Sequence, residues 1–323
     1  MTDLISRSAA ASVRARVRIA PMIYQTPLLP SRVLGDRLNC NLRFKAENFQ
    51  LTGSFKMRGA ASKMTALPPF AQSGQRLITA SSGNHGIAAS RAAALTGQNL
   101  TVVLPETVAR AKLAKIEAFG VTVILHGPES GAAEAHAAQL AASGEYTYVS
   151  PYNDAQVIAG QGTCALEMLD QTERIDNVFV AMGGGGLIGG IGAVLKAFSP
   201  KTRVIGVSAQ NSAALAASMI AGHVVETTHL DTLADGVAGG VDADTLTLPL
   251  AMEVVDSVRT CTEVQIAAAL KLLAQDETLL VEGAAALALA GYLQMAEECR
   301  GQNNVIVLCG SNFDRDTVMP LVV

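Results

Sequence analysis

From Arg76 onward the chain alternates short β-branched or apolar runs with Ala-rich stretches of helical length, and that alternation constrains the fold more than any other feature. The runs at 77–79, 100–104, 121–125, 146–149 and 178–181 read as strands, with helices predicted from about Ile87, over 109–119, near 132–142 and near 155–169. Strands separated by helices of this length form parallel sheets with crossover connections, so the fold class is α/β. Further strands are expected at 204–207 and 305–308, and long helices over 264–274 and 283–297. The N-terminal stretch is rich in Ala, Ser and Arg, a composition also found in transit peptides. It runs directly into Tyr24-Gln25-Thr26-Pro27-Leu28-Leu29, however, with the apolar spacing of a docked surface helix.

Size and charge bound the function. A chain of 323 residues, 50% of them hydrophobic, can bury a sizeable core and divide into about two domains. A net charge of -4, from 24 basic and 28 acidic residues of mixed order, offers no polyanion-binding surface. That excludes a nucleic-acid partner and favours a small molecule. The five cysteines are scattered and free of CxxC spacing, which argues against a disulfide framework or a zinc site and for a reducing, cytoplasmic location. No uninterrupted apolar run approaches the roughly 20 residues that cross a bilayer, so no membrane partner is expected.

Glycines mark where a ligand can approach. Gly183, Gly184, Gly185 and Gly186 follow a predicted strand and precede the apolar helix that begins near Leu187. Consecutive glycine N–H groups can turn toward an anion, and the helix N-terminus adds roughly half a positive charge, so the loop reads as a phosphate cup. A tight packing turn would need only one or two glycines. The spacing Gly184, Gly186, Gly189 also satisfies a dinucleotide pattern, but no acid follows in 204–210 to hold a ribose, which argues for a single phosphate. At a second strand-to-helix junction, Ser81-Ser82-Gly83-Asn84-His85-Gly86 places hydroxyls and N–H groups where they could grip a carboxylate, with an elaborate N-cap as the structural alternative. His85 taken alone is as well read as a structural histidine. Lys56 sits beside Phe55, just past a Gly-Ser turn that could start a helix; in an apolar pocket its pKa would fall, making it a nucleophile toward an aldehyde and a base near neutral pH.

Together GSFKMRGA at 53–60, SSGNHG at 81–86, the four-glycine loop, Ala159-Gly160-Gln161-Gly162-Thr163, Ala234-Asp235-Gly236 and Leu308-Cys309-Gly310-Ser311-Asn312 resemble one family. In order, and over nearly the whole chain, they are similar to the fold type II pyridoxal phosphate enzymes: serine/threonine dehydratases, serine racemase and hydroxyaspartate dehydratases. The resemblance implies two domains, each with a largely parallel open sheet flanked by helices: a large cofactor-binding domain from 1–66 and 150–323, and a small mobile domain from 67–149. It implies that Lys56 holds pyridoxal 5'-phosphate through its amine, with Phe55 near the ring and Asn84 at the cofactor's 3-hydroxyl. It further implies Gly183, Gly184, Gly185, Gly186 and Leu187 on the phosphate, Cys309 facing the pyridine nitrogen, where the family often has Ser, and Glu282 beside the ring. Ser81, Ser82, Gly83, Asn84 and His85 are the implied substrate loop. A homodimer is the family expectation. Because the chain ends shortly after Asn312, the large regulatory extension of some biosynthetic threonine dehydratases is not expected.

The implied activity is β-elimination from a 3-hydroxy amino acid such as L-threonine or L-serine, giving a 2-oxo acid and ammonia, with Lys56 removing the α-proton. Amino-acid racemisation is the alternative, because racemase-like members carry a serine at the Ser82 position as a second proton-exchanging group, where bacterial threonine dehydratases commonly have alanine. Two further departures matter. Ser208 and Ala214 stand where racemase-like members have metal-binding carboxylates, so no tightly bound magnesium is expected. Gly131 stands where they have an arginine, and Ala238 and Gly239 replace polar residues, which disfavours a hydroxyaspartate substrate. A non-catalytic small-molecule sensor is the alternative from another class, and the retained Lys56 argues against it.

Overall fold

The computed structural model describes residues 1–323. Ten strands form two sheets: β1 (Leu28–Pro30), β2 (Asn41–Lys45), β3 (Arg76–Ala80), β4 (Asn99–Leu104), β5 (Thr122–Leu125), β6 (Thr147–Tyr148), β7 (Asn177–Ala181), β8 (Arg203–Ala209), β9 (Ser257–Cys261) and β10 (Asn303–Val307). Six make a sheet in the order β1-β2-β10-β7-β8-β9, parallel except where β1 pairs antiparallel to β2. Four make a wholly parallel sheet in the order β5-β4-β3-β6. The expected α/β class, with two largely parallel sheets, is therefore what the chain adopts. The central strand β7 is buried at every position, as a strand covered by helices on both faces must be.

Each predicted strand from 77 onward is present, and two helix boundaries differ in an informative way. The helix expected from about Ile87 starts at Asn84, so the SSGNHG motif supplies its first turn instead of preceding it. The helix expected to reach 297 ends at Gln294. Strands β9 and β2 mix polar and apolar residues, and β1 is only Leu28-Leu29-Pro30, so none of the three is legible as a strand in the sequence. The N-terminal stretch is a helix, Asp3–Ile19, capped by Thr2 and burying Ile5, Ala9, Ser12, Ala15 and Ile19 on one stripe. No helix is long and apolar enough to cross a membrane.

Packing brings Lys56 and the glycine loop together. The helix Ala155–Gln171 lies between the Lys56 helix, Lys56–Ala66, and the helix Gly186–Phe198 that leaves the glycine loop. Its contact with the first is backbone to backbone: a Cβ at Gly160 would stand 2.3 Å from the Arg58 carbonyl oxygen. With the second, a Cβ at Gly190 would stand 2.7 Å from the Gly162 nitrogen. The AGQGT stretch is thus a spacer that fixes the distance between the lysine and the loop. The Lys56 helix also shares a core with the four-stranded sheet, through Met57, Ala60, Ala61 and Met64 against Leu77, Ala88, Ala92 and Val102.

Beneath this junction lies a buried ionic cluster. Arg58 reaches both oxygens of Glu47 at 2.7 and 2.8 Å and both oxygens of Glu167 at 2.6 and 2.7 Å. Lys45 adds a 2.6 Å bond to Glu167, and Thr26 and Thr163 complete the shell. Two cations and two anions balance, which is the condition for burying such charges.

Candidate active site

Three loops meet at the carboxyl ends of their strands, where open parallel sheets bind ligands. The loop at 81–86 follows β3, the glycine loop follows β7, and Cys309 to Asn312 follow β10. All three line one cleft of about 730 Å³ between the two sheets, and Lys56 and Phe55 lie in its wall. The three loops form one site. Phe55 N donates to the Cys309 carbonyl at 2.9 Å and Glu282 N to that of Gly310 at 3.1 Å, so the lysine turn and the closing loop are one hydrogen-bonded unit.

Lys56 Nζ donates to the Pro151 carbonyl oxygen at 2.9 Å and lies 5.2 Å from the Phe55 ring centroid. Burial lowers its pKa to about 8, against the opposing pull of Cys309 and Glu282. A substantial fraction of the amine is therefore free at mildly alkaline pH. The glycine loop offers the complementary feature. The backbone N–H groups of Gly183 to Ile188 donate to no protein acceptor, and Gly185 holds φ +86, turning the run into the start of the helix. Val237 presses on the loop at Gly183 and the Tyr152 ring at Gly184, where a Cβ would come within 2.7 and 2.6 Å. Only glycines fit a loop held so closely by its neighbours while leaving its N–H groups free for an anion.

In the 81–86 loop, Ser82, Asn84, His85 and Gly86 also have N–H groups without a protein acceptor. Ser81 and Ser82 line the cleft. The His85 imidazole does not share in this: Nε2 lies 3.1 Å from Thr79 Oγ1 and 3.2 Å from the Val149 carbonyl, and burial lowers its pKa to about 3. The ring is a neutral strut of the small sheet, so only the His85 backbone faces the cleft as a donor. Asn84 Nδ2 donates to both Glu282 oxygens at 2.9 Å, and Asn84 Oδ1 accepts from Asn312 at 2.7 Å. Burial raises Glu282 to about 7 and Cys309 well above the ordinary thiol range, so the thiol, 3.8 Å from Glu282, stays protonated at neutral pH.

Several lining residues escaped the sequence reading: Pro151, Tyr152, Glu134, Tyr148, Asp242 and Lys112. Only Glu134 left a usable trace. Ser130, Ala133 and Glu134 share a helical i, i+3, i+4 face of the helix Ser130–Ala142, and that face lines the cleft. The lining includes four carboxylates, Glu134, Asp235, Asp242 and Glu282, two lysines and no arginine.

A low-pKa amine, an anion cradle and a carboxylate-sized donor loop in one cleft define an enzyme built around a phosphorylated carbonyl cofactor. Residues 19–310 match the family described as pyridoxal-phosphate dependent enzyme. The chain is 34% identical over 315 residues to a putative threonine dehydratase of Sinorhizobium fredii, covering 97% of this chain and 95% of that one. Among solved structures it is similar to the processed form of threonine deaminase isoform 2 from Solanum lycopersicum (TM-score 0.94, 30% identity, 99% of this chain and 88% of that one). It is also similar to maize serine racemase (TM-score 0.88, 29% identity, 97% and 95%). The chain belongs to the pyridoxal-phosphate dependent enzyme family, with the fold type II architecture. It is a pyridoxal-phosphate-dependent lyase. The unsatisfied N–H groups of the glycine loop, whose close approach to Val237 and Tyr152 leaves no room for a Cβ at 183 or 184, fit the phosphate of that cofactor.

Proposed function

We propose that the protein is a dehydratase that converts a 3-hydroxy amino acid with an uncharged β-substituent, L-threonine or L-serine first, into the 2-oxo acid and ammonia. The observation that carries this reading is the placement of Lys56 in one cleft with the glycine cradle and the 81–86 loop. When bound, pyridoxal phosphate supplies the electron sink that makes the α-C–H of an attached amino acid acidic. Gly183 to Leu187 would hold its phosphate, Phe55 would lie beside the ring, and Asn84, oriented by Glu282 and Asn312, would serve the 3-hydroxyl. The N–H groups of Ser82, Asn84 and His85 hold the substrate carboxylate, with the Ser81 and Ser82 hydroxyls beside it. Lys56 takes the α-proton at Nζ, for which a pKa near the working pH is well matched. Cys309, held as a neutral thiol, would meet the ring nitrogen without forcing a proton onto it, which favours elimination. With four carboxylates in the cleft and Lys112 the one cation besides Lys56, a second substrate carboxylate would meet a net negative lining, so hydroxyaspartate is disfavoured. We take 67–149 as the small mobile unit that closes this cleft.

The test is incubation of the holoenzyme with L-serine, L-threonine, phenylserine and both hydroxyaspartate diastereomers, measuring 2-oxo acid, ammonia and enantiomer ratio together. Equimolar oxo acid and ammonia from a neutral 3-hydroxy amino acid supports the reading; none from any of them defeats it. A second reading, racemisation, is favoured by Ser82, which lines the cleft and whose hydroxyl has no protein partner. Ser82→Ala is expected to abolish any D/L interconversion while leaving part of the dehydration of the L-substrate. Equal loss of both would mean that Ser82 serves binding alone.

The lysine sets a pH dependence. Capture of added pyridoxal phosphate by the cofactor-free enzyme needs the neutral amine, so its rate should rise with pH through about 8 and level off above. The stability of the cofactor-free protein follows the same group. Between about 8 and 10.5 the folded chain has released the Lys56 proton while the unfolded chain still holds it, so this contribution to stability rises across that window. A capture rate that is flat from pH 6.5 to 9 would show that Lys56 does not limit the step.

A further inference from the structure

The segment joining β6 to the helix Ala155–Gln171 crosses from the small sheet to the large one, and three consecutive residues in it, Pro151, Tyr152 and Asn153, each hold a different part of the cleft. Pro151 accepts from Lys56. The Tyr152 ring lies against the glycine loop at Gly184, and its hydroxyl oxygen accepts from Asp242 N at 2.9 Å. Asn153 Nδ2 donates to Asp242 Oδ2 at 3.0 Å, and Asn153 Oδ1 accepts from Leu246 N at 2.8 Å. The receiving stretch, 235–246, has no strand or α-helix of its own, yet Asp235 to Asp242 line the cleft throughout. Its Val237 lies against Gly183, next to the Gly184 that Tyr152 covers. The contacts therefore close a ring: Tyr152 on Gly184, Gly183 on Val237, and Asp242 back to Tyr152. An irregular stretch holds one position only where its backbone groups find fixed partners, and here three of the bonds come from two adjacent side chains.

We propose that Tyr152 and Asn153 are positioning residues that fasten the 235–246 wall over the cleft, so that the amino-acid substrate meets a formed pocket. This rests on the reading of the cleft as the dehydratase site. Their effect falls on substrate binding and not on the cofactor, because the aromatic ring that supports the glycine loop and the hydroxyl that holds the wall are separable parts of one side chain. Tyr152→Phe removes only the hydroxyl and keeps the ring on Gly184; Asn153→Ala removes both Asn153 bonds and leaves the ring untouched.

The experiment compares wild-type, Tyr152→Phe and Asn153→Ala holoenzymes by hydrogen–deuterium exchange over peptides spanning 238–247, by KM and kcat for the accepted amino acid, and by cofactor affinity. Each variant is expected to exchange faster across 238–247 and to raise KM, Tyr152→Phe about five- to tenfold, the equivalent of one lost hydrogen bond, and Asn153→Ala, which loses two, at least as much, with kcat and cofactor affinity nearly unchanged. Unchanged exchange overturns the proposal, as does faster exchange with an unchanged KM. A fall in cofactor affinity parallel to the rise in KM also overturns it, because the two residues would then act on the glycine loop. Should the wild-type enzyme release no oxo acid from any 3-hydroxy amino acid, the dehydratase reading fails, while the exchange data still decide whether the two side chains hold the wall.

Discussion

Lys56→Ala is expected to lower release of 2-oxo acid by about 10³-fold or more while the protein remains folded. The side chain enters the cleft from the first residue of its helix and makes one polar contact, to the Pro151 carbonyl. Truncating it breaks no buried ion pair and removes a charge that burial disfavours. Loss of activity without loss of stability is therefore the signature, and added pyridoxal phosphate should still bind weakly through the glycine cradle. A steady-state assay alongside urea denaturation separates the two effects. A variant that keeps a tenth of its activity would contradict the assignment.

The neighbouring Arg58 gives the opposite result. Arg58→Met is expected to destabilise the protein by about 3–5 kcal/mol, because it strips the guanidinium from two buried carboxylates and leaves only Lys45 to balance them. Glu47 shows the size of the dependence. Burial alone would push its pKa up, yet the Arg58 charge and hydrogen bonds, with Lys45, bring it below the ordinary 4.5. Its contribution to stability is therefore present above pH 4.5 and is lost as the pH falls through the lower folded value. Arg58→Lys should recover little, since an ammonium cannot address two carboxylates in paired fashion. Urea denaturation of cofactor-free protein reads the effect. A wild-type midpoint for Arg58→Met would mean that the cluster repacks without its centre.

These two residues lie in one motif, Phe55-Lys56-Met57-Arg58, and they show where sequence reasoning reaches its limit. Lys56 is legible because its chemistry is local: an aromatic neighbour, a turn before it and a helix after it. Arg58 looks like any helical arginine, since its carboxylates come from 11 and 109 residues away. The same holds for Tyr152 and Asn153, whose partners at 242 and 246 lie about 90 positions on, in a stretch without periodicity. The strands and helices from 76 onward followed from alternating patterns, and the glycine loop from four consecutive residues with few structural uses. For the His85 side chain the structural alternative is what the fold adopts: its backbone lies in the donor loop, and the helix that starts at Asn84 turns its ring into the small sheet. The AGQGT stretch was recognisable by resemblance and gained a physical reason only from the approach of Gly160 to the Arg58 carbonyl.

The central claim is that Lys56 is the amine that holds pyridoxal phosphate in this cleft, and borohydride reduction of the purified holoenzyme followed by peptide mapping tests it most directly. The account predicts a pyridoxyl phosphate mass on the single peptide containing Lys56, absent from Lys56→Ala. A label on Lys112 or any other lysine, or a protein that takes up the cofactor and cannot be labelled, would contradict it.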